Sequence, residues 1–366
     1  MSTPLRVGFI GLHPDRHWAA MAHLPALKSL GDTFEVVGVA NSTPESGRET
    51  AKALGLAHAF ATPAELVASP DVDVVTVTVK VPHHFELVSL ALEAGKHVYC
   101  EWPLGNGVDE ARRLTDLAEA KGVVAVAGTQ ARTALEIRHL KRLVAGGYVG
   151  KVLSTSLVAS GGNWADTTSA ELAYLYDTRN GATMLEIPLG HTLAAVRDVL
   201  GDFEAFRATL ARRFETVTIT ETGEKLPKSA ADQILLHGTL TSGAPISVHY
   251  RGGTSRGTNF LWEINGTEGD LQVTASLGHA QMAQLTVLGA RGSDDELSEE
   301  MPPRSTYEGK PGFAGARNVA GLYAALADDI RNGTRLAPSF RDALELHALL
   351  DAIQRAAAHP MTSIGS

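Results

Sequence analysis

His191 lies where the phrase PLGHTLAAVRDVL turns into an amphipathic segment. An imidazole titrates near neutrality, so it can accept a hydroxyl proton as a carbonyl forms. Read alone, a histidine at a helix start is more often a cap or a packed side chain than a catalyst. A second chemistry is offered by VGFIGLHPDRHWAA. A buried strand that ends in glycine and feeds a helix aims backbone N–H groups at an anion, which makes Gly11, Leu12 and His13 candidate contacts for a dinucleotide phosphate. The turn is poor in glycine for that task. After Gly8 and Gly11 it carries His13 and Arg16 where a GxGxxG phrase has glycine, or is displaced by an insertion, and an ordinary strand-to-helix turn reads alike. The residue ending the second strand of such a unit meets the adenosine ribose, and here that place falls to Asn41, followed by Ser42. Neither repels a 2′-phosphate, which tilts the expectation from NAD to NADP, although Arg48 would have to reach inward to favour it strongly. Ser42 and Thr43 would also cap a helix beginning near Pro44.

Other reactive arrangements are missing from the sequence. The chain has 14 histidines but no HExxH phrase and no cysteine cluster, so no metal site is expected. No GxSxG phrase is present, and Cys100, the single cysteine, falls inside a strand-like run.

The elements that must position these side chains alternate over the first third of the chain. Apolar runs at Val7–Ile10, Phe34–Ala40, Val72–Val79, His97–Cys100 and Val123–Ala127 predict strands. Between them, 18–30, 44–54, 85–94 and 108–121 carry helical spacing. Strands separated by helices predict a doubly wound, parallel α/β half of Rossmann type. From about Lys151 the texture changes to strand-like runs at 152–158, 205–210, 234–241, 246–250, 260–265 and 271–274, separated by turn signals. These predict an α+β unit with a large open, mainly antiparallel sheet. A polar loop at 292–312 precedes two further helices at 314–330 and 342–358. The domains are expected at 1–128, for the dinucleotide, and 129–366, for substrate and oligomer contacts, with the C-terminal helices packing back near the first.

Size and charge agree with small-molecule chemistry. The 366 residues suffice for two domains at ~100–200 residues each. A net charge of −9 argues against a nucleic-acid partner, since such binders concentrate Lys and Arg. One cysteine allows no intrachain disulfide, and the opening MSTPLRVGFIGL lacks the length of a signal segment, so a cytoplasmic setting is expected. No run reaches the ~18 apolar residues that a membrane span needs.

The order of these pieces resembles the oxidoreductases grouped with glucose–fructose oxidoreductase, inositol 2-dehydrogenase and MocA, over essentially the whole chain. ALEAGKHVYCEWPL, IRHLKRLVAGGYVGKV, INGTEGDLQV and RDALELHALLDAIQRAA are similar to phrases of that family. Within it, GFIGL followed by HWAAMAHLPAL, then CEWPL and AYLYDTRNGATMLEIPLGHTL, look most like the fungal galactose-pathway repressor subgroup, including a tryptophan, Trp18, after the phosphate turn. The resemblance implies a homodimer or homotetramer formed through the C-terminal sheet.

It also implies site residues. The family's Glu-Lys-Pro is Glu101, Trp102 and Pro103 here, and an indole cannot replace the lysine as a proton carrier, though it could stack on a sugar face or on nicotinamide. The family histidine falls on His191, and its aspartate four residues earlier on Ile187, with Glu186 able to substitute if the loop bulges by one residue. Tyr176, the reserve catalytic group, and Asp177 match substrate-contact positions. Gln130 and Arg132 follow the last Rossmann strand, while Pro82 and His84 lie at a position beside the cofactor. The function implied is an NAD(P)-dependent oxidoreductase acting on a secondary alcohol of a sugar, cyclitol or related polyol. The alternative is a cofactor-sensing regulator without turnover, for which the loss of lysine at Trp102 speaks.

Overall fold

The computed structural model of the protein describes residues 3–358, which form two compact units. The first takes the chain up to Ala134 together with Arg304–His347; the second takes Leu135–Pro303 and the residues from Ala348 onward.

In the first unit six strands, β1 (Leu5–Ile10), β2 (Phe34–Ala40), β3 (His58–Ala59), β4 (Val74–Val77), β5 (His97–Glu101) and β6 (Ala125–Gly128), form one sheet. Their order is β3-β2-β1-β4-β5-β6, and every pair is parallel. All four residues of β4 are buried, which is why the sequence shows an unbroken apolar run rather than alternation. The strand order reverses beside β1, and in such sheets ligands bind at the carboxyl ends of the strands around that reversal. Helix Pro44–Leu54 starts where Thr43 accepts a hydrogen bond from the Ser46 N–H and ends at Gly55 in the left-handed region. Helix Ala314–Asn332 belongs to this unit and places Val319, Leu322, Tyr323 and Leu326 in the same core as Phe9, Val39, Val74 and Tyr99. At ~1.5–3 kcal/mol for each fully buried large apolar side chain, that helix is an integral layer of the unit.

The segment 18–30 is not one α-helix. It begins as a π turn, Ala19–His23, and becomes α-helical only over Leu24–Ser29. Pro25 has no N–H with which to continue an α ladder across this stretch. The same device recurs in the second unit, where Pro188 sits inside the π turn Leu185–Leu189 and the Leu189 N–H reaches back five residues to the Met184 carbonyl.

In the second unit β7 (Val152–Ser160), β9 (Phe203–Ala211), β12 (Gln233–Leu240), β13 (Pro245–Arg251), β14 (Phe260–Gly266), β15 (Gly269–Ala275), β16 (Thr286–Arg291) and β17 (Ser298–Glu299) make an eight-stranded sheet. Its order is β17-β16-β15-β14-β7-β13-β12-β9, with β7–β13 parallel and the other pairs antiparallel. Alternate residues such as Ile246, Val248 and Tyr250 are buried, as the period of two requires when one face meets the core. A small sheet of β8 (Thr167–Thr168), β10 (Thr216–Ile219) and β11 (Lys225–Pro227) escaped the sequence reading, its strands being short and polar. Among the described residues no helix is long and apolar enough to cross a membrane.

Candidate functional site

The turn after β1 is built for close approach. Gly11 has φ +92°, and a Cβ there would come within 2.5 Å of Val79 Cγ1, so only glycine fits. Asn41 shapes the turn rather than facing outward: its Oδ1 accepts from the Leu12 N–H and its Nδ2 donates to the Leu12 carbonyl, both at 2.9 Å. Ser42 is exposed, and the cap of the next helix is Thr43. Arg48, the cation that a 2′-phosphate would require, is exposed and paired with Glu45. The imidazole of His13 is held between the Asp15 carboxylate and the Arg16 Nε–H, each at 2.9 Å. Trp18 meets Phe313 edge-on, and its Nε1 is buried without a hydrogen-bond partner.

At the carboxyl ends of β5 and β6 the polar groups converge. The Glu101 carboxylate accepts from Gln130 Nε2 at 2.7 and 2.9 Å and contacts His23 Nε2 at 2.9 Å. The other nitrogen of His23 lies 2.9 Å from the Tyr323 hydroxyl. Gln130 Oε1 and Thr129 Oγ1 are buried with no partner, and buried polar atoms of that kind are uncommon unless a ligand or water completes them. Trp102 is buried, its ring 4.6 Å from that of His347. His84 is buried too, with its two ring nitrogens 2.7 Å from the Pro103 carbonyl and 3.0 Å from that of Val79; Pro82 is exposed beside it. Arg132 pairs with Asp342 at 3.1 Å, which engages the guanidinium within its own unit.

In the second unit His191 opens helix Gly190–Leu200, directly after the π turn. The imidazole is buried, and Nδ1 has no hydrogen-bond partner. Burial, helped by the nearby His279, lowers its pKa from 6.5 to about 3, so the ring is neutral. His279 is held in place by the Gly161 carbonyl, 2.5 Å from Nε2, and by Gln281 Nε2, 3.1 Å from Nδ1. Its ring lies parallel to that of Trp164 at 6.3 Å.

Three expectations from the sequence are corrected here. Tyr176 is 1% exposed, and its hydroxyl accepts from the Trp164 N–H at 2.8 Å while donating to the Thr167 carbonyl at 3.0 Å. Burial also pushes its pKa up, so Tyr176 is a structural strut with no capacity left for a substrate proton. Asp177 caps the following turn and chelates Arg179, whose hydrogen bonds hold its carboxyl below the usual range. A π turn, Leu185–Leu189, precedes His191, but Glu186 within it points back to the Thr183 N–H and hydroxyl and to Gln354 rather than taking the place of the aspartate. His23, Tyr323, His279, Trp164 and His347 were not foreseen. Their partners lie up to 300 residues away in sequence, and no local spacing signals them.

His191 and His347 make acid sensitivity predictable. Burial lowers each from 6.5 to about 3, with the charge of His84 contributing at His347. The unfolded chain therefore binds these protons first. Stability is complete above pH 6.5 and is lost as pH falls toward about 3, by ~1.4 kcal/mol per pH unit for each histidine. Urea unfolding at pH 7, 6 and 5 should show His347→Leu losing less stability on acidification than the parent; an unchanged slope would contradict the assignment.

The fold and these ends of strands define a dinucleotide-binding protein of Rossmann type. Residues 5–129 match the family described as oxidoreductases with an NAD-binding Rossmann fold, GFO_IDH_MocA, and residues 136–275 match the Gal80p C-terminal domain family. The chain thus carries an NAD-binding Rossmann domain of GFO/IDH/MocA type followed by a Gal80-like C-terminal domain. It is similar to the crystal structure of a super-repressor mutant of Gal80p from Saccharomyces cerevisiae, with TM-score 0.89 and 25% identity over 97% of this chain and 96% of that one. Dehydrogenase aclE of Aspergillus oryzae is 29% identical over 98% of this chain and 97% of its own length. Levoglucosan dehydrogenase of Pseudarthrobacter phenanthrenivorans is 25% identical over 97% and 96%. A dinucleotide fits the residues present: the Gly11 cradle admits no side chain, and Gln130 Oε1, Thr129 Oγ1 and Trp18 Nε1 await partners.

Proposed function

We propose that this protein is an NAD(P)-dependent oxidoreductase acting on a secondary alcohol of a sugar, cyclitol or related polyol. The observation that carries the reading is His191, a buried neutral imidazole with a vacant nitrogen at the family's histidine position. A nicotinamide ring, when bound, supplies the hydride acceptor or donor. Gly11, Leu12 and Thr129 to Gln130 would hold the dinucleotide, with Glu101 fixing Gln130. At Nδ1 His191 would accept a hydrogen bond from the reacting hydroxyl and take its proton as the hydride leaves and the carbonyl forms. Two dehydrogenases among the relatives support this reading, levoglucosan dehydrogenase being named for a sugar derivative.

A cofactor-sensing regulator is the second reading, favoured by the likeness to Gal80p and by Trp102, which is packed against His347 and stands at the position of the lysine in the family it resembles. Arg48, the cation named in support of NADP, is paired with Glu45, and both dinucleotides belong in the test. A cytoplasmic homo-oligomer completes the proposal. Titration with NADH and NADPH, followed by a sugar and cyclitol panel read by reduced-cofactor absorbance, separates the readings. Tight dinucleotide binding without turnover across the panel would defeat the dehydrogenase.

A further inference from the structure

Lys228 and Asp232 form an ion pair at 2.8 Å with both side chains fully buried, on a part of the second unit to which the proposed function gives no task. Such pairs contribute little net stability compared with well-packed apolar residues, so what this one holds in place matters more than its own strength. The Lys228 ammonium also donates to the Trp164 carbonyl at 2.5 Å and to that of Ala165 at 3.4 Å. Trp164 is one of two non-glycine residues with positive φ among the described residues, at +65°, a conformation that strains a bulky side chain. Each of its polar groups is tied down: its N–H to Tyr176, its carbonyl to Lys228, and its indole Nε1 to the Leu175 carbonyl at 2.9 Å.

Two contacts lead from the Trp164 ring toward His191. One is the parallel face of His279, whose nearness depresses the proton affinity of His191. The other is Gly161: a Cβ there would lie 2.9 Å from both the Trp164 ring and Met184 Sδ, and Met184 immediately precedes the π turn that delivers His191. We propose that Lys228 is a positioning residue for His191, acting through Trp164, with Asp232 keeping the ammonium aimed at the Trp164 carbonyl. This rests on the reading of His191 as the partner of the reacting hydroxyl.

The test compares Lys228→Met, Lys228→Arg and Arg212→Ala in the full chain. Arg212 donates to the Lys228 carbonyl at 2.9 Å and so perturbs the same segment without touching Trp164. Lys228→Met, which leaves Asp232 its hydrogen bonds from the Arg213 and Phe214 N–H groups, should lower kcat about tenfold or more while KM stays within about twofold. Lys228→Arg should restore part of that loss, and Arg212→Ala should cause none. Independently of turnover, ring ¹⁵N signals of His191 and His279 at neutral pH should shift in Lys228→Met and stay in place in Arg212→Ala. Should Lys228→Met not fold, Tyr176→Phe loosens Trp164 from its N–H side and should move the same signals. Unmoved signals in the folded variant, or equal shifts in Arg212→Ala, would overturn the inference. Absence of turnover in the parent protein fails the dehydrogenase reading instead.

Discussion

Replacing His191 with asparagine is expected to lower kcat/KM by about 10²–10⁴, the range that a positioned proton-handling group contributes. Dinucleotide affinity should hardly change, because His191 lies in the second unit while the Gly11 turn and the Glu101–Gln130 cluster belong to the first. Reduced-cofactor absorbance on the best substrate of the panel gives the rate, and fluorescence titration with NADH gives the affinity. Full activity in His191→Asn would remove His191 from the reaction, while equal losses of affinity and rate would mean that the substitution disturbs the fold.

The largest loss of stability is expected from Asp232→Ala, at ~3–5 kcal/mol. Its partner Lys228 is left with no carboxylate at a position where neither member is exposed to water, and the Arg213 and Phe214 N–H groups lose their acceptor as well. Burial already lowers the Lys228 pKa, with Asp232 opposing that effect, so removal of the carboxylate drives the lysine further toward its neutral form. Urea unfolding at pH 7 measures the loss. A drop below ~1 kcal/mol would mean that water reaches the pair and that it is no brace.

Much of the scaffold was legible because it repeats a local rule. The strand Phe34–Ala40 and the helices Pro44–Leu54 and Val108–Lys121 fall where apolar spacing placed them, bounded by the Thr43 cap and by Gly55 and Gly122 in left-handed conformation. Spacing failed where proline interrupts a ladder, as at Pro25 and Pro188, because a π turn leaves no periodic signature. It failed again at Asn41, Tyr176 and Glu186, whose residue types suited ligand contact. Their partners, Leu12, Trp164 and Thr183, use up that capacity.

By itself the sequence determined a parallel dinucleotide-binding sheet and a second, mainly antiparallel sheet, since these depend on patterns a few residues long; His191 stood out only through the resemblance to a family. Tertiary structure decided which polar groups remain available. His23 meets Tyr323 across 300 residues, and Lys228 reaches the Trp164 carbonyl across 64. Whether a buried donor or acceptor is satisfied depends on such distant partners, because burial removes the water that would otherwise complete it. His191 Nδ1 stays vacant by that criterion, and the Tyr176 hydroxyl does not.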